Sequence, residues 1–133
     1  MSIALIRSEL ETRLSAWANS FNPVIPVAWE GIDFQIPSSG VYVEPFILPA
    51  TTINPTVDGG RKRYTGYFQV NIHVKDNSGT KKLNELSDSL VNYFPIVPKT
   101  GNVSIERTPS IGRGITDNGW RIVPVSIPYR MET

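Results

Sequence analysis

Hydrophobic and polar positions alternate most regularly in the stretch Tyr64-Thr65-Gly66-Tyr67-Phe68-Gln69-Val70-Asn71-Ile72-His73-Val74. From Phe68 onward, Phe68, Val70, Ile72 and Val74 fall on one side and Gln69, Asn71 and His73 on the other. A period of two in β-branched and aromatic residues predicts a strand with one buried face. Lys75-Asp76-Asn77-Ser78-Gly79 is a turn cluster that stops it. The period then lengthens. Leu83, Leu86, Leu90 and the Tyr93-Phe94 pair recur every three or four residues, the single stripe of an amphipathic helix. Ser78 or Thr80 is placed to cap it, and Pro95 ends it. A long strand followed directly by a helix makes a two-layer core, and the other elements must fit around that pair.

A second helix is predicted over Ser2 to Phe21, with Ile3, Ile6, Leu10, Leu14, Trp17 and Phe21 on one stripe and Ser2 as its N-cap. Arg7, Glu9, Glu11, Arg13 and Asn19 take the other faces, and Asn22-Pro23 stops it. Burying each large residue of the stripe stabilises by roughly 1.5–3 kcal/mol, so this helix must pack on the sheet or on a partner. Ile25 to Trp29 reads as a short strand held to an edge or a strand start by Pro26. Glu30 to Phe34 turns the chain, and Phe34 to Pro37 is extended but weak. Val41 to Leu48 is the next strand, with Val41 and Val43 on one face, Tyr42 and Glu44 on the other, and a bulge or edge position expected at Pro45. Pro49 to Arg63 is a long polar loop. After the second helix, Asn102 to Arg107 alternates as a strand, and Thr108 to Gly119 reads as a loop. Trp120 to Tyr129 is the last strand, with Trp120, Ile122, Val123 and Val125 buried and edge or irregular sites required by Pro124 and Pro128. The fold class is α+β: one mixed or antiparallel sheet with two helices on one face, in the order αββ-loop-βαββ, as a single domain over 1–133.

Composition narrows the function. A chain of 133 residues can bury a genuine core, and with no cysteine it offers no disulfide, thiolate metal site or cysteine nucleophile. A net charge of +1 does not point to nucleic acid or to a membrane surface. No apolar run approaches the ~20 residues that span a bilayer. The N-terminus lacks the basic region and apolar run of a signal peptide.

Candidate chemistry is sparse. His73 is the one histidine and reads as a solvated or interfacial strand residue rather than a general base. Glu9 and Glu11 lie two apart on a helix and point apart, and Asp88 has no evident carboxylate partner, so solvated helix faces are the better reading. Gly112-Arg113-Gly114 lacks the strand-then-helix context of a dinucleotide loop and reads as a flexible turn. Gly60-Arg61-Lys62-Arg63 is the one dense basic run. Arg61, Lys62 and Arg63 are the candidate partner-facing or DNA-facing residues, with Tyr64, Tyr67 and Phe68 near enough in sequence to stack on bases. The competing reading is a solvated loop that keeps a strand from mispairing. Lys81 and Lys82 open the second helix where they oppose its dipole, a small cost that solvent can absorb and that an acidic partner would also explain. No nucleophile, metal set or phosphate loop emerges, so neither an enzyme nor a cofactor is expected.

An ordered set of short motifs carries a resemblance. It comprises Ala28-Trp29-Glu30, Phe34 and Pro37, Gly40-Val41-Tyr42-Val43, Leu48-Pro49-Ala50 with Thr52 and Pro55, Tyr64 to Val70, Gly79 and Phe94-Pro95. In this order and spacing the chain resembles the tail-terminator family of long-tailed bacteriophages, also called tail-completion or minor tail proteins. The likeness runs from about Ser2 to Pro95, with the final strands agreeing in order. It implies a ring, typically a hexamer, that caps the tail tube, stops its polymerisation and offers a surface for joining the head. The implied partners are other copies of the chain, the tail tube protein, the head–tail connector proteins and DNA in transit through the lumen, with no membrane and no cofactor. The implied place is the head-proximal end of the virion tail, after assembly in the host cytoplasm. A small nucleic-acid-binding module using residues 60–63 is the alternative.

Overall fold

The computed structural model of the chain describes residues 2–37, 40–52, 60, 62–75, 80–96 and 103–132. The turn at 76–79, with the candidate cap Ser78, therefore lies outside the described residues, as do most of the 49–63 loop and Arg61. Helix α1 spans Ser2–Asn19, β1 Val41–Pro49, β2 Arg63–Lys75, α2 Lys81–Tyr93, β3 Ser104–Ile105, β4 Ser110–Ile111, β5 Ile115–Asp117 and β6 Trp120–Glu132. They form one antiparallel sheet in the order β1-β2-β6-β3, with β4 and β5 also pairing β6.

Period-two alternation sorts the side chains onto two faces. Val41, Val43 and Ile47 of β1, Phe68, Val70, Ile72 and Val74 of β2, and Val123, Val125 and Ile127 of β6 share one face. Both helices cover that face. From α1 come Ile6, Leu10, Leu14 and Trp17; from α2 come Leu83, Leu86 and Leu90. Trp17 is fully buried, and its indole N–H donates to the Ser89 hydroxyl of α2 at 3.0 Å, tying the helices together over the sheet. Ile3, the first residue of the predicted stripe, stays exposed, and α1 ends at Asn19, where the Ser20 hydroxyl donates to the Trp17 carbonyl at 2.6 Å. Thr80 stands at the N-cap of α2 but makes no side-chain capping bond.

Several expectations are corrected. Ile25 to Trp29 is not a strand. Only Val27 bridges β1, in parallel, while Pro26 and Ala28 exchange backbone bonds with Val43. Proline density at Pro23 and Pro26 removes the donors that a longer ladder needs. The predicted strand at 102–107 shrinks to β3. The predicted loop at 108–119 carries β4 and β5, and Asn118-Gly119, both at positive φ, turn β5 into β6 as a two-residue hairpin. Gly112 and Gly114 are pinned rather than flexible: the Gly112 N–H donates to the Pro124 carbonyl at 2.8 Å, and a Cβ there would lie 2.8 Å from the Pro124 ring.

Strand β6 is interior, yet it holds two prolines. The Pro124 and Pro128 carbonyls accept bonds from Gly112 and Glu106, so both residues turn their polar edge toward the short strands. The missing donors thus fall on an interrupted flank and not on the long β2 ladder. Pro45 obeys the same rule. Val43 bonds outward to Pro26 and Ala28, so by alternation Pro45 also faces outward, without a bulge, and its register partner is Val70. The edge of β1 is shut further by the Glu30 carboxylate, which accepts from Ile47 N–H at 3.4 Å and from Arg7 at 3.0 Å.

Candidate functional site

The sequence put its candidate charges in two places, and the fold keeps them apart. Lys62 is exposed just before β2, and Arg63 opens that strand. Lys81 and Lys82 lie beyond its far end. At ~3.3 Å per residue, β2 alone separates the two groups by about 40 Å. Arg63 is not a free cation. Its Nε donates to Glu132 at 2.6 Å, and Glu132 also takes a 2.7 Å bond from Arg130. Arg63 first, then Arg130, holds the Glu132 carboxyl below the usual carboxylate range. Lys81 and Lys82 are both exposed in the first turn of α2, which has no acidic residue.

The carboxylates of α1 are anchors. Glu9 accepts the Val103 N–H at 3.1 Å, and Glu11 meets Arg7, which reaches on to Glu30. They do point apart, but they brace the chain rather than standing solvated.

His73 departs from its expected setting. It is buried, stacked on Tyr42 with ring centres 4.2 Å apart, and edge-on to Trp120. Its Nε2 lies 3.4 Å from Glu44 on the neighbouring strand. Burial pushes the imidazole below its ordinary pKa, while Glu44 and Asp117 pull the other way. Ala28, Tyr42 and Trp120, with Phe34 and Ile122 beside them, close this second, smaller cluster on the sheet face opposite the helices, and Lys75 lies 4.7 Å over the Trp120 ring. The alternation that put Tyr42 and His73 on one face was visible in the sequence; their pairing across two strands was not.

The rest of that face is open. Leu48 and Tyr67 are cross-strand partners and both are exposed. Gln69 donates to Asn71 at 3.0 Å, and Arg107 donates to the Tyr67 hydroxyl at 3.0 Å. Beside Phe46 the 30–36 segment and β1 enclose a groove of about 360 Å³. Among the described residues no group of three or more His, Cys, Asp or Glu is placed to hold a metal ion. What this surface offers is contact: apolar area, amides and paired charges.

A family model described as phage tail terminator protein matches residues 5–129. The chain belongs to the phage tail terminator family. That membership gives it a structural role in virion assembly and a place in the phage tail. A solved structure that is 33% identical superposes on it with a TM-score of 0.80, over 98% of this chain and 96% of that one. Among curated proteins nothing matches. The terminator fold is thus shared along nearly the full chain, including the final strands, where the motif resemblance had agreed in order alone.

Proposed function

We propose that this terminator closes into a ring, typically of six copies, on the last ring of the tail tube. There it blocks further tube growth and presents its other side to the head–tail connector proteins, after assembly in the host cytoplasm. The family match over residues 5–129 carries this reading. The open sheet face supports it by offering exposed apolar residues such as Leu48 and Tyr67 for contact.

Blocking requires only that the terminator bind the growing end and expose no copy of the tube's own joining surface. Cations at residues 60–63 would lie near a neighbour, the tube or passing DNA. With Arg63 held by Glu132, attraction to DNA stays small, and screening over ~8 Å at physiological salt limits it to close approach. Changing Arg61, Lys62 and Arg63 to Ser should leave the chain folded while weakening assembly or tail joining. The direct test is a phage lacking this protein. Electron microscopy should show overlong or headless tails, restored to normal length by the wild-type chain. Tails of normal length joined to heads without it would end the proposal.

A further inference from the structure

One apolar stripe crosses the open sheet face with nothing in the described chain covering it. Ile32 and Ile36, 66% and 62% exposed, line the groove together with Phe46. Leu48 follows two residues later on the same face of β1, and Tyr67 lies directly across from it, 48% and 42% exposed. Contiguous apolar surface of this kind marks a contact site more often than idle surface. Glu30 and Glu44 line the groove and no lysine or arginine does; Glu30 is already met by Arg7, so Glu44 carries the charge of the lining. Asp33, between Ile32 and Phe34, adds an exposed carboxylate beside it.

The helical side of the molecule presents the opposite combination. A cleft of about 280 Å³ runs between the 21–26 segment and the start of α2, lined by Pro23, Val24, Leu86, Lys82 and one carboxylate, Glu85. Val24 is 53% exposed there, and Lys81 and Lys82 are exposed beside it at the start of α2. Groove and lysine corner are therefore apolar patches on opposite faces of one sheet, the groove acidic at Glu44 and Asp33 and the corner basic at Lys81 and Lys82, with Glu85 beside them. The sheet edges are closed by Pro45, Glu30 and the bridged 26–28 segment on one side, and broken into short strands on the other. Association by strand addition is blocked, which leaves the faces.

We propose that the groove of one copy receives the Val24, Lys81 and Lys82 corner of a second copy, head to tail. This rests on the ring reading and assigns its subunit contact. A contact between two different patches repeats around a ring until rotation closes it. Apolar burial holds the pair, and the charges set its direction, since groove against groove would oppose carboxylates. The open face and the lysine pair, unexplained within a monomer, then have one cause.

The test uses the full-length chain, with light scattering after size exclusion and negative-stain imaging. Lys81→Glu with Lys82→Glu should weaken ring formation at least tenfold, as should Asp33→Lys with Glu44→Lys, with circular dichroism confirming that both variants fold. Mixing the two variants should restore rings, because each reversed surface then meets its complement. Ile36→Ser, a change on an exposed segment that does not threaten folding, should also weaken assembly. Wild-type rings unaffected by either reversal, or a mixture that stays dissociated, would overturn this contact and leave the ring reading standing. A wild-type chain that remains monomeric even with tail tube ends present would remove both.

Discussion

The two faces of the sheet are built to different standards. The face under the helices is wholly apolar: Val43, Phe68, Val70, Ile72, Val125 and Ile127 are all fully buried. The opposite face holds a small aromatic cluster at one end, amides in the middle and exposed Leu48 and Tyr67 at the other end. An antiparallel sheet tolerates this asymmetry because one packed face suffices for stability. The lesson is a division of labour. The helical face specifies the fold, and the second face is free to specify what the protein touches.

The comparison breaks most visibly at Trp17. Removing it leaves a cavity between α1, α2 and the sheet and an unpartnered Ser89, so Trp17→Ala should cost about 3–5 kcal/mol. Equilibrium denaturation measures this, and an unchanged midpoint would refute the packing of α1 described here. His73 probes the second cluster with a smaller effect. Its folded-state pKa is depressed by burial, so on acidification the unfolded chain takes up the proton first. Stability from this site is complete above about pH 6.5, the ordinary histidine value, and is lost as pH falls through the folded-state value. Denaturant midpoints between about pH 7.5 and 5 should decline more steeply for wild type than for His73→Gln. Parallel curves would show that the imidazole is not desolvated. Leu48 should matter least to the monomer. Leu48→Ser on the open face should shift stability by no more than about 0.5 kcal/mol. A loss of several times that would mean this face is covered within the monomer, and the contrast between the faces would disappear.

Legibility followed periodicity. The stripe of α1, the alternation of β2 and the stripe of α2 are long enough to repeat, and each packs as its period dictates. Short elements were lost among breakers. Strands β4 and β5 pair through two or three residues beside Gly112 and Gly114, although Asn118-Gly119 before a β-branched run was a readable hairpin signal. The contacts of single side chains were out of reach for another reason. Glu44 meets His73 only because β1 and β2 pair in one register, and the long connection between them does not fix that register as a tight turn would. Arg63 and Glu132 sit 69 residues apart and meet only when β6 closes on β2. Composition could announce a basic run, but not that one of its charges was already taken.

Pro45 can be followed one step further. A chain that adds partners through an open strand edge grows like a linear polymer, with the same gain for every added copy. The product is a broad distribution of lengths, dependent on concentration. Pro45 takes a donor from the outer edge of β1, and its neighbours on that edge are spoken for by Pro26, Ala28 and Glu30. Without that route, the number of copies in the proposed ring is set by the angle between faces, which concentration does not alter. The proposed ring would thereby keep a count instead of a length.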